Sequence, residues 1–348
     1  MATPKDLCAL LTRPLPLIQA PMAGSSGVSL AVAVNDAGGL GSLPCAMLSA
    51  DGIRKAVADY RSRTRGPLNL NFFTHADPVP DVAREEAWIA RLRPYYEAFG
   101  IAPPRGVAAG RGRFDDALCA VVEELRPEVV SFHFGLPDEE LMGRVRATGA
   151  KILSSATTVD EARYLEDRGC DAIIAQGVEA GGHRGVFLTD DISTQLGTMS
   201  LVPLIVDALR VPVIAAGGIS DRRGVAAAFA LGASGVQIGT AYLRCPECDT
   251  TKAHRAALAK GGETALTNIF TGRPARGIVN RFVREVGPMN AGAPAFPRAV
   301  DGCAPLRAAA EANGDTDFSP LWAGEAFALA RDASAAAVTA DLMHDFVR

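Results

Sequence analysis

A (β/α)8 TIM barrel carrying a smaller C-terminal helical domain is the fold class predicted by three observations. Short apolar runs recur as far as Arg244, a helix-length segment follows most of them, and 35 glycines and 22 prolines punctuate the alternation without forming a low-complexity tract. Runs such as Ala172-Ile-Ile-Ala175 are continuously apolar, as strands become when packed layers cover both faces. The length of 348 residues fits a barrel of about 250 with a tail of roughly a hundred.

The candidate strands, in order, are Leu17 to Gln19, Gly39 to Leu43, Leu68 to Phe72, Val129 to Phe132, Lys151 to Ser154, Ala172 to Ala175, Val213 to Ala216 and Gly235 to Ile238. Helical patterns between them cover Ser29 to Ala37, Ser49 to Arg63, Phe114 to Leu125, Glu139 to Thr148, Val159 to Arg168 and Asp221 to Leu231. Gly38, Gly169 and Gly232 stand as stop signals. Two connections, Thr74 to Glu128 and Gln176 to Pro212, are longer than one helix needs and are the natural places for insertions. Past Arg244 the rhythm stops and helical patterns take over at His254 to Lys260, Ala304 to Ala312 and Trp322 to Asp332. The division that follows is 1–245 as barrel, 246–319 as helical cap and 320–348 as a helix returning to the barrel.

Composition narrows the function. With 35 Lys plus Arg against 39 Asp plus Glu, and no basic block, the chain offers nothing to track a phosphate backbone, so no nucleic-acid partner is expected. The uncharged stretch from Pro14 to Asn35 contains Pro14, Pro16, Gln19, Pro21 and Gly24, so it is not a spanning helix. Seven unpatterned cysteines, and Lys5, Asp6, Arg13, Pro14 and Pro16 where a secretory segment would be apolar, point to a reducing cytoplasm. Cys245-Pro-Glu-Cys248 has metal-like spacing but lacks four ligands, with His254 and Cys303 alone nearby, so no metal is expected. His75, His254 and His344 read as solvated, and Arg105 to Arg113 as a solvated face.

A barrel builds its site at the C-terminal ends of its strands, commonly with a phosphate site after the seventh and eighth. The seventh run ends in Gly217-Gly218-Ile219-Ser220, where two glycines let backbone approach an anion and Ser220 can cap the next helix. The eighth ends in Gln237-Ile238-Gly239-Thr240, offering N–H groups and a hydroxyl to the same anion. After the sixth comes Gln176-Gly-Val-Glu-Ala-Gly-Gly-His-Arg-Gly185, in which four glycines surround His183. A side chain titrating near neutrality can serve there as acid, base or cationic donor.

These residues, together with Gln19-Ala-Pro-Met22, Leu68-Asn-Leu-Asn-Phe72, Ser131-Phe-His-Phe-Gly135 and Trp322-Ala-Gly324, resemble the bacterial class I nitronate monooxygenases, formerly called 2-nitropropane dioxygenases. The resemblance spans the barrel in order and is most specific at Glu179 to Arg184. It implies FMN as cofactor, its phosphate on Gly217, Gly218, Gly239 and Thr240, with Gln237 and Ile238 in the same segment. Met22, Asn71, Gln176 and Gly181 would hold the ribityl chain and ring, His183 would face the substrate, and His133 would line the pocket. Implied partners are a small nitronate, such as propionate 3-nitronate, and dioxygen; homo-oligomerisation is left open. The rival on the same barrel is an NAD(P)H-dependent FMN reductase of quinones or enoyl thioesters, although no separate Gly-x-Gly-x-x-Gly unit is present. A phosphate-binding barrel without redox chemistry is the third reading.

Overall fold

The computed structural model describes residues 6–104 and 112–346. Eight parallel strands form the barrel: β1 (Leu17–Gln19), β2 (Gly41–Pro44), β3 (Leu68–Phe73), β4 (Val129–His133), β5 (Lys151–Ala156), β6 (Ala172–Gln176), β8 (Val213–Ala216) and β9 (Gly235–Ile238). A short β7 (Gly182–His183) lies outside the barrel, in the loop after β6. The sheet runs β1-β9-β8-β6-β5-β4-β3-β2, and its ends meet: the Gln19 N–H donates to the Leu40 carbonyl at 2.9 Å and the Leu40 N–H to Leu17 at 2.8 Å. Closure removes both edges.

Each strand divides its side chains between two apolar layers, as a period of two requires. In β6, Ile173 joins the layer under the surrounding helices while Ile174 faces the barrel interior. The interior is packed by Ile18, Leu40, Leu153 and Ile214, and Leu7 and Leu11 of the first helix (Leu7–Leu11) close the N-terminal mouth beneath them. Only the C-terminal mouth remains for chemistry. In β3 the sequence Leu68-Asn-Leu-Asn-Phe-Phe73 sends Leu68, Leu70 and Phe72 outward and leaves Asn69 and Asn71 on the opposite side. Asn69 donates to Ser42 Oγ at 2.9 Å.

The C-terminal region differs from the all-helical expectation. Besides helices Lys252–Lys260, Arg281–Val286 and Ala299–Ala312 it holds an antiparallel hairpin, β10 (Thr264–Thr267) and β11 (Ala275–Ile278). β11 also pairs with β7, placing Ala275 opposite His183 and Arg276 opposite Gly182. A second core joins this region to Trp88, Leu92 and Tyr96 of the helix Val82–Phe99, which belongs to the long insertion after β3. The predicted helix from Trp322 to Asp332 is a 3-10 segment, Glu325–Leu329. The segment's return to the barrel falls instead to helix Ala335–Leu342, whose Thr339 hydroxyl lies 2.7 Å from that of Tyr242. None of the described helices is long and apolar enough to cross a membrane.

Candidate functional site

One cleft opens at the C-terminal mouth, and every residue predicted for the site lines it except Ile238. Ile238 is fully buried in the layer under the helices, because the alternation that points Gln237 toward the cleft must point its neighbour away.

The floor comes from the turns after β8 and β9. Gly217 has φ of +115°, and a Cβ there would lie 3.0 Å from Thr198 Oγ1 and 3.1 Å from the Ala180 nitrogen and the Gly177 oxygen. Only glycine fits this backbone without strain. Ser220 does not cap the next helix. Asp221 does, accepting from the Arg223 N–H at 2.9 Å and the Gly224 N–H at 3.3 Å. That carboxylate answers the helix terminus, so an anion in the cleft is left to the glycine turns. Thr240 Oγ1 accepts from the Gly324 N–H at 3.0 Å, which keeps its own proton for a ligand.

Amide side chains form the walls. Asn71 donates to Ser131 Oγ at 3.0 Å. Gln237 Oε1 is buried and has no hydrogen-bond partner among the described residues, an acceptor that suits a hydroxyl donor in the cleft. The Gln176 amide is turned to the loop that carries His183: Nε2 donates to the His183 carbonyl at 3.0 Å and Oε1 accepts from the Gly185 N–H at 2.7 Å. It clamps that loop.

The roof is His183 within an aromatic box. Ring centroids of Phe296, Trp322, Phe134 and Phe73 lie 5.4, 5.6, 6.0 and 6.3 Å from the imidazole. His183 Nε2 is 3.0 Å from Thr271 Oγ1. His133 sits beneath, with Nδ1 3.1 Å from Ser155 Oγ and Nε2 3.2 Å from the His183 carbonyl. Burial pushes the His133 pKa down to about 3, opposed by its hydrogen bond to that carbonyl and reinforced by Arg273 and Arg184. Neutral, with Nε2–H donating, His133 supports the roof from below.

Behind the loop lies a buried polar frame invisible to sequence patterns. Arg184 is fully buried and donates to Gln195 Oε1 at 3.0 Å and to the Gly177 and Gln176 carbonyls at 2.6 Å. Burial lowers its pKa to about 10, with Arg276 adding to the effect and Glu179 and Glu161 opposing it. Glu161, equally buried, accepts from the Thr157 N–H and hydroxyl at 2.7 Å, and from the Phe187 and Leu188 N–H groups at 2.6 and 3.2 Å. Gln195 joins the halves by donating to Thr157 Oγ1 at 2.9 Å. Glu161→Ala would strand these donors, each at about 1–3 kcal/mol, so a stability loss of at least roughly 3 kcal/mol is expected in denaturant titration. A loss below about 1 kcal/mol would contradict the frame.

Two histidines expected in solvent are buried: His75 packs against Phe296 with ring centroids 4.8 Å apart, and His254 lines the cleft. Their polar sequence neighbours concealed burial imposed by distant segments. His344 is exposed, as expected. Burial lowers the His254 pKa to about 4, opposed by a bond to the Trp322 backbone. Both His133 and His254 therefore bind protons more weakly folded than unfolded. As pH falls below about 6.5 the unfolded chain gains protons first, and stability should drop by about 1.4 kcal/mol per pH unit for each ring. The loss continues to about 4 for His254 and about 3 for His133. The expected result is a Tm that declines from pH 6.5 to 5, above the carboxylate range; a flat Tm there would refute it. Of the arginine-rich stretch, Arg105 to Arg111 lies outside the described residues, while Arg113 pairs with Asp77 at 3.5 Å. Cys245 and Cys248 are both buried.

A family model described as nitronate monooxygenase matches residues 5–345. The chain belongs to the nitronate monooxygenase family. This is a family of flavin-dependent oxidoreductases. A nitronate monooxygenase from Paraburkholderia phytofirmans is 44% identical over 345 residues, covering 97% of this chain and 94% of the relative. Among solved structures, a nitroalkane oxidase from Streptomyces ansochromogenes superposes with a TM-score of 0.88 at 39% identity, covering 98% of each chain. FabK from Thermotoga maritima superposes with a TM-score of 0.76 at 27% identity, covering 98% of this chain and 95% of that one. The nitroalkane oxidase and FabK thus share this barrel.

Proposed function

We propose that the chain is an FMN-dependent nitronate monooxygenase, oxidising alkyl nitronates such as propionate 3-nitronate with dioxygen to a carbonyl compound and nitrite. The observation that carries this reading is the cleft at the C-terminal mouth, with a glycine-turn floor and a histidine in an aromatic roof. The residues fit the cofactor: the Gly217 turn is a cradle that a Cβ would disturb, and Gln237 Oε1 is an orphaned acceptor for a ribityl hydroxyl. Gly217, Gly218, Gly239 and Thr240 would hold the phosphate, with Met22, Asn71, Gln237 and Gly181 along the remainder. FMN, when bound, supplies the one-electron chemistry.

The chain supplies position and field. His183 gives the anionic nitro group a donor, and the surrounding Phe73, Phe296 and Trp322 exclude water that would compete for it. Similarity to FabK keeps the reductase reading in view, and one experiment separates the two. Anaerobic mixing of the yellow protein with propionate 3-nitronate should bleach the flavin, while NADH or NADPH should leave it oxidised. Rapid bleaching by NAD(P)H with no response to the nitronate would establish the reductase. Protein that neither carries FMN nor gains absorbance with added FMN would defeat both.

A further inference from the structure

The loop between β10 and β11 sends one polar side chain to the histidine of the roof. Thr271 is buried, 3% exposed, and its Oγ1 lies 3.0 Å from His183 Nε2 and 3.3 Å from the Arg273 carbonyl, with the Arg273 nitrogen 3.5 Å away. A hydroxyl has one proton and two acceptor sites. With the proton directed at the Arg273 carbonyl, which can only accept, the oxygen is an acceptor toward His183. The arrangement then closes only if Nε2 carries a hydrogen.

The geometry points to Thr271 as a positioning residue that fixes His183 in the Nε2–H form, so that proton gain and loss are confined to Nδ1. The neighbouring structure favours this division. β11 holds the His183 backbone in register, His133 and Gln176 hold its carbonyl, and the aromatic box holds the ring plane. None of those contacts distinguishes one ring nitrogen from the other. Thr271 does. With Nε2–H turned to Thr271, the donor left for the nitronate is Nδ1–H of the protonated ring, whereas an imidazole free to exchange tautomers would offer no fixed hydrogen-bonding pattern. The catalytic consequence rests on the proposed role of His183 toward the nitronate; the tautomer itself does not.

The test uses the FMN-loaded enzyme labelled with [15N]histidine, comparing wild type, Thr271→Val and Thr271→Ser. Valine keeps the shape and removes the hydroxyl; serine keeps the hydroxyl. Long-range proton–nitrogen correlation, with the His183 signals identified by their loss in His183→Asn, should show Nε2–H in wild type and the serine variant, and mixed or Nδ1–H populations in the valine variant. kcat/KM for propionate 3-nitronate should fall about tenfold in Thr271→Val, with FMN content unchanged, and recover to within about threefold in Thr271→Ser. Retention of Nε2–H in the valine variant, or equal impairment of the serine variant, overturns the proposal. If wild type turns over no nitronate, the functional reading fails while the tautomer measurement still judges Thr271.

Discussion

Gly217→Val should leave a folded barrel that has lost its flavin. The substitution places a β-branched residue at φ of +115°, with its Cβ against Thr198 Oγ1 and the backbone of Ala180 and Gly177. Strain of this kind is worth about 1–3 kcal/mol. The turn relieves it by moving, which would withdraw N–H groups from the proposed phosphate site at about 1.5–3 kcal/mol for each charge-assisted bond. The two effects together amount to roughly two to four orders of magnitude in Kd. Flavin per chain after gel filtration should fall below about a tenth of wild type, with far-ultraviolet circular dichroism unchanged. Gly217→Ala, lacking the γ branches, should be intermediate. Stoichiometric flavin in the valine variant would remove Gly217 from the phosphate site.

His183→Asn should have the opposite signature, full flavin and little turnover. Asparagine keeps a donor but is shorter and carries no positive charge, and it gives up the ring contacts with Phe296 and Trp322. Loss of one preorganised donor to a developing or resident anion costs about a hundredfold or more. kcat/KM for propionate 3-nitronate, followed by oxygen consumption, is therefore expected to fall about a hundredfold while the flavin spectrum stays that of a bound cofactor. Unchanged turnover with FMN in place would move the anion-binding role elsewhere. The pair of variants separates cofactor retention from substrate handling, because the first residue belongs to the floor and the second to the roof.

The barrel was legible because its signals are local. Most strands are short apolar runs, and β8 and β9 are followed directly by Gly217 and Gly239, where such a fold places an anion. His183 stood out because glycines surround it. What escaped detection depends on contacts between distant segments. Thr264-Ala-Leu-Thr267 and Ala275-Arg-Gly-Ile278 have no strong alternation, and their pairing with Gly182 and His183 leaves no periodic trace. Phe73, Phe134, Phe296 and Trp322 converge from separate stretches, so no window of sequence contains the box. Glu161 and Arg184 look like surface charges until the frame that buries them is assembled. Ile238 lies in the same segment as Gln237, but the strand's alternation turns its side chain into the layer under the helices.

The attachment of β7 to β11 divides the cleft between two supports of different origin. The glycine turns after β8 and β9 are anchored in the barrel, whereas His183 is registered on a hairpin that the chain contributes more than eighty residues later, Ala275 facing it across the ladder. Floor and roof can therefore diversify independently. A hairpin of altered length or composition would reposition His183 over an unchanged floor, and chimeras exchanging residues 264–278 between relatives would test whether the roof can be varied without disturbing the proposed cofactor site.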